Sequence, residues 1–91
     1  MRVRPVLGVS VSVDADGCLQ LVAETGGRHL RYECGPVGTS MWIALRQHDG
    51  NLDAAALVLA GLWGMAPSNV RADLDIWVEE MRDAGLLCVE P

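Results

Sequence analysis

Between residues 7 and 14 apolar and polar positions alternate, with Val9, Val11 and Val13 on one face and Ser10, Ser12 and Asp14 on the other. A period of two marks a half-buried strand. The next apolar run, Leu19, Leu21 and Ala23, has the same period, and a third follows Gly26-Gly27 as Leu30 and Tyr32. Asp14-Ala15-Asp16-Gly17 is a turn. A three-residue loop, with Gly17 left-handed in a bulge, sets Val13 opposite Leu19, Val11 opposite Leu21 and Val9 opposite Ala23. A two-residue loop would set Val13 against Gln20 and mix the faces. At the second turn both glycines are free to take the positive φ of a type I′ hairpin. Ala23 then faces Leu30, Leu21 faces Tyr32 and Leu19 faces Cys34; on the other face Glu24 meets His29, Val22 meets Arg31 and Gln20 meets Glu33. Both registers agree on a three-stranded antiparallel meander with one apolar face to be covered.

From Pro36 onward the period changes. Pro36 suits a first helical position or the turn just before it. Val37, Met41 and Leu45 recur at helical spacing until His48-Asp49-Gly50 ends the run. Asn51 is an N-cap for a second helix carrying Leu52, Ala55, Leu59 and Leu62, closed by Gly64. Pro67 opens a third, with Val70, Leu74, Trp77 and Met81 as its stripe, Val78 widening it and Gly85 after it. Residues 86–89 are a short apolar tail expected to pack back. The expected fold class is α+β: an N-terminal three-stranded antiparallel β-meander followed by a three-helix bundle, βββααα, winged-helix-like in content with the ribbon first. All 91 residues form one domain.

Charge narrows the partners. Seven arginines, no lysine and twelve carboxylates leave a net charge of −5. Nucleic acid and anionic lipid need clustered cations, so the expected partner is a protein or peptide. Cys18, Cys34 and Cys88 show no metal-ligand spacing and read as small apolar residues; their odd number, with no secretory pattern, predicts reduced thiols and a cytoplasmic protein. No apolar run approaches the length of a membrane helix. The serines have no evident His/Asp partners, and His29 and His48 read as exposed, so no catalytic residue, metal or cofactor is expected.

The order and spacing of several residues resemble a known family. They are the hairpin ending Tyr32-Glu33-Cys34, then the run Gly38-Thr39-Ser40-Met41-Trp42-Ile43-Ala44-Leu45, similar to a G-x-x-I/V-W-x-x-L helix. After them come the Gly50 turn, Leu62-Trp63-Gly64, and Val70-Arg71-Ala72-Asp73-Leu74 running to Gly85-Leu86-Leu87. The chain resembles the PqqD-like recognition elements of pathways that modify ribosomally made peptides (RiPPs) over roughly residues 7–89. It departs at Cys34-Gly35, where the family often has Leu-Asn. The resemblance implies a non-catalytic domain that binds the leader segment of a precursor peptide as an added strand on the third meander strand, with leader side chains entering a groove against the third helix. An acidic member of this length is most similar to the recognition protein of split lasso-peptide systems, which presents the precursor to a leader peptidase and an ATP-dependent cyclase. A PqqD-like chaperone for a radical SAM or other RiPP-modifying enzyme is the alternative, and a winged-helix DNA-binding protein a further one, opposed by the acidic third helix.

The site expected on this basis has two parts. The strand edge is Arg28, His29, Leu30, Arg31, Tyr32 and Glu33, where free N–H and C=O groups invite pairing and no proline blocks it. The groove wall is Val70, Arg71, Leu74, Asp75, Val78 and Arg82. Leu74 and Val78 read equally as core, Asp75 and Arg82 as solvated charges, and Tyr32, Trp42 and Trp63 as packing residues.

Overall fold

The computed structural model describes residues 2–25 and 27–90. Its elements are β1 (Arg2–Pro5), β2 (Val9–Val13), β3 (Leu19–Thr25), β4 (Arg28–Glu33), α1 (Pro36–Gln47), α2 (Leu52–Trp63), α3 (Pro67–Asp83) and β5 (Leu87–Glu90). The protein is α+β, with a three-stranded antiparallel sheet in the order β2-β3-β4 followed by three helices. The pairing of β2 with β3 runs from Val9 opposite Ala23 to Val13 opposite Leu19, and that of β3 with β4 sets Leu21 against Tyr32 and Ala23 against Leu30, both as the pattern predicts. Gly17 has a φ of 81°, and its N–H donates to the Asp14 carbonyl while Asp14 N–H donates to Cys18 O, the bonding of a bulged three-residue loop. The Asp14 carboxylate also accepts from the N–H groups of Asp16 and Cys18. Gly26, half of the second expected turn, lies outside the described residues; Gly27 has a φ of 81°.

The meander is less covered than its pattern implies. Leu19, Leu21 and Ala23 on the central strand are buried, but Val11 and Val13 are 47% and 63% exposed and Leu30 is 52% exposed. The strand starts at Val9 rather than residue 7, and Leu7 stands out in solvent. Among the helices, Met41, Leu45, Ala55, Leu59, Val70, Leu74, Val78 and Met81 join the core. Val37 and Leu62, assigned to core stripes by period, are exposed; Trp42 is buried as a packing residue, and Ala56 and Ala60 are buried in addition to the expected positions. His48 is half-buried rather than exposed. Pro36 and Pro67 occupy first-turn positions, Asn51 accepts from Ala54 N–H at 3.0 Å, and Gly64 closes α2 in the left-handed conformation.

A polar wedge joins sheet to helix. Thr39, the buried polar residue of the core, accepts the Leu19 N–H through Oγ1 at 3.0 Å and donates to the Cys34 carbonyl at 3.3 Å. Cys34 N–H still donates directly to Leu19 O, but the hydroxyl takes the place of the reverse bond, Leu19 N–H to Cys34 O, and so ends the β3–β4 pairing where the chain turns into α1. One residue earlier, a Cβ on Gly38 would sit 3.2 Å from Trp77 Nε1 and 3.3 Å from Cys34 Cβ, so a glycine there lets α3 close on the end of the sheet.

A second, two-stranded sheet was not legible in the sequence. β1 pairs antiparallel with β5, Val3 opposite Val89, which gives the apolar tail its partner. Val3 is buried, and its N–H donates to Gly50 O at 3.0 Å. Gly50 has a φ of 79°, and a side chain there would fall on the Val3 backbone. Asp49 beside it has a φ of 56° and accepts from Arg2 at 2.6 Å and Arg4 at 2.7 Å, fastening β1 to the α1–α2 turn.

Candidate functional site

β4 is an edge strand: among the described residues, no strand pairs with its outer side. The pairing parity identifies which backbone groups face outward. Cys34 N–H donates to Leu19 O at 2.8 Å, so the two form a hydrogen-bonded pair. Antiparallel ladders alternate bonded and non-bonded pairs. Tyr32, Leu30 and Arg28 therefore turn their backbone groups toward β3, and His29, Arg31 and Glu33 turn theirs outward. Each of these three residues offers one donor and one acceptor to an extended guest. Their side chains lie on the face away from the core, where Glu33 accepts from Gln20 at 3.2 Å and His29 lies 3.4 Å from Glu24.

Beside this edge the core face of the strand opens into a depression of about 280 Å³, lined by Leu30, Arg31, Tyr32, Asp83, Ala84 and Leu86. Its floor is apolar, with half-buried Tyr32 and Ala84 and buried Leu86. A guest strand on β4 would direct alternate side chains into it, because side chains of paired strands share faces.

The α3 residues expected to wall the groove divide differently. Val70 and Leu74 are fully buried and Val78 nearly so. Arg71, Asp75, Val78 and Arg82 line a separate cleft with Glu79, Leu52 and Val89, facing α2 and β5 rather than β4. Arg71 is anchored there, donating to Asp75 at 3.0 Å and to Asp53. The Asp75 hydrogen bond, with the charges of both carboxylates, holds its guanidinium above the ordinary arginine value. Arg82 pairs with Glu79 at 3.2 Å. The flank of α3 turned to the end of the sheet is instead that of Trp77, whose indole abuts Gly38, the glycine that also packs on Cys34. Ala84 lies seven residues further along the same flank, where two helical turns return to one face. That spacing was in the sequence; what was missing was the Gly38–Trp77 contact that says which flank faces β4.

The remaining chemistry is spare. Burial pushes the Cys34 thiol up, with a smaller push from Cys18 nearby, the opposite of an activated nucleophile. Among the described residues no His/Cys/Asp/Glu cluster is arranged to hold a metal ion, and no helix is long and apolar enough to cross a membrane. On α3, Asp73, Asp75, Glu79, Glu80 and Asp83 are all exposed. Compared with known proteins, this chain matches no family model, no curated protein and no solved structure.

Proposed function

We propose that this chain is a peptide-recognition domain of the PqqD-like kind. It takes the leader segment of a ribosomally made precursor as a fourth strand on β4 and presents it, without catalysis of its own, to a separate leader peptidase and an ATP-dependent cyclase, as in lasso-peptide biosynthesis. On this reading the meander and three helices are a winged-helix-like unit with the ribbon first. The observation that carries it is the unpaired outer rim of His29, Arg31 and Glu33 running beside an apolar depression. Backbone bonds at ~0.5–1.5 kcal/mol each are largely offset by the ~2–5 kcal/mol or more needed to order a flexible segment. Selectivity and net affinity then fall to one or two guest side chains in the depression, at ~1.5–3 kcal/mol each. The acidic exposed face of α3 repels phosphates and weighs against the DNA-binding reading.

The test is a titration with the synthetic leader of the precursor encoded beside this chain's gene, followed by amide NMR. Binding at micromolar Kd or tighter is expected, with the largest shifts at His29, Arg31 and Glu33. Leu30→Asp and Ala84→Arg should each weaken it by at least about tenfold, or ~1.4 kcal/mol. Arg71→Ala, on the other flank of α3, should leave it nearly unchanged. A proline within the paired stretch of the leader should abolish it. Absence of binding, or an affinity indifferent to both depression variants, would discard the reading.

A further inference from the structure

The meander has a second rim, on β2, and its composition is unlike that of β4. Where β4 carries Arg28, His29, Arg31 and Glu33, β2 reads Val9-Ser10-Val11-Ser12-Val13 and holds no charge in a chain of net charge −5. The strand is a palindrome. Laid antiparallel against itself about Val11, it sets Val9 opposite Val13 and Ser10 opposite Ser12, so every position meets its own kind. The parity agrees. Asp14 N–H donates to Cys18 O at 2.9 Å, so that pair is bonded, and the alternation turns Ser12 and Ser10 toward β3 and Val13, Val11 and Val9 outward. The palindromic register thus opposes outward-facing residues to outward-facing residues. A shift of one residue would set them against inward-facing ones. Shifts of two shorten the ladder, so one register dominates.

We propose that two copies of this chain join through β2, edge to edge and antiparallel, to form one continuous six-stranded sheet. Val11 N–H and C=O bond their counterparts in the other copy, and Val13 N–H donates to Val9 O in both directions. Val9 N–H is already engaged by Val6 O at 3.3 Å and is not needed. On the core face the junction gathers Val11 and Val13, about half and two-thirds exposed in the single chain, into one apolar cluster with Val9. An uncharged exposed edge of this kind is what soluble proteins ordinarily guard with lysine, proline or a bulge, and β2 has none of these between its ends. The same register carries the second copy's acidic turn, residues 14–16, alongside residues 6–8. The depression there is edged by Arg4 and Glu90, which pair with each other, and by Arg46, which makes no ion pair among the described residues and faces that turn as the available cation. Charge therefore assists at the rim where it is absent at the centre.

Sedimentation equilibrium of the full chain without peptide tests this. The mass is expected to rise from one chain toward two at concentrations below about 1 mM, with amide exchange at Val11 and Val13 slowing in step. Val11→Lys brings two cations together on the axis, and Val11→Pro deletes an N–H that β3 does not use, a position where an edge strand tolerates proline. Both should give a single-chain mass at every concentration, with folding checked by circular dichroism; if the proline variant fails to fold, the lysine variant decides. Arg31→Glu, on β4, should associate like the parent. A parent chain that stays single throughout, or a dimer that survives the substitutions at Val11, overturns the proposal. So does saturable binding of a precursor peptide at Val11 and Val13 in place of self-association.

Discussion

At the residue scale the Thr39 hydroxyl has the most leverage for its size. It satisfies a buried N–H and a buried C=O at once, at the point where sheet becomes helix. Thr39→Val keeps the shape and strands both partners, a change that costs about 1–3 kcal/mol for each orphaned group; chemical denaturation should show a loss of at least ~1 kcal/mol, and Thr39→Ser should recover most of it. Leu74 tests a different point. Its helical position allows it to be core or groove, and the structure makes it core, with no exposed surface. A charge placed at this position therefore tests the fold and not peptide binding. A buried unpaired carboxylate costs several kcal/mol, and the variant should lose its cooperative unfolding transition, visible in far-ultraviolet circular dichroism on heating. A Leu74→Asp protein that melts like the parent would contradict the buried placement.

At the scale of elements, what the sequence made legible follows from period. Strands that alternate cleanly, β2 and β3, were placed with their register, because only one loop length kept apolar residues facing apolar residues. Helices bounded by proline, asparagine and glycine were placed with their caps. β1 escaped because Arg2–Pro5 offers a single apolar side chain, Val3, and no periodicity. Its place is fixed by β5 and by Asp49, neither of which is near it in the chain. The same element carries a pH dependence. The Asp49 carboxyl is held below the usual carboxylate range by its hydrogen bond from Arg4, then by the charge of Arg4, with Arg2 and Arg46 adding. A carboxyl whose folded pKa is depressed stabilises fully above its unfolded value, about 3.9, and that contribution fades as pH falls through the folded value. Protection of the Val3 amide should be flat from neutral pH to about pH 5 and decline below about pH 4. Asp49→Asn should flatten the decline; equal protection at pH 3 and pH 6 in the parent would show that the ion pairs do not fasten the strand.

At the scale of the molecule, the candidate site was half legible. The β4 edge could be read because strand order in a meander follows chain order. The wall opposite it could not, because a helix with apolar residues on much of its circumference does not declare which flank meets the sheet. Arg71, tied to Asp53 of α2 and to Asp75, and Arg82, paired with Glu79, line the cleft toward α2 and β5, and Asp83 and Ala84 are left beside β4. Two sheets and three helices thus share one core while exposing two rims of opposite character, one guarded by charge and one bare.

The β1–β5 ladder has a practical corollary. Arg2 and Glu90 are cross-strand partners, so the outermost described positions are neighbours in space, and Val89 lies on the flank of α3 turned from β4. A bridge of a few glycines should therefore suffice to join residue 90 to residue 2, and the 15–17 loop, exposed to solvent, is a tip of the kind where the chain can be cut open instead. Such a rewired version offers a handle at the far end of the meander for surface immobilisation, with the 28–33 rim still facing the bath.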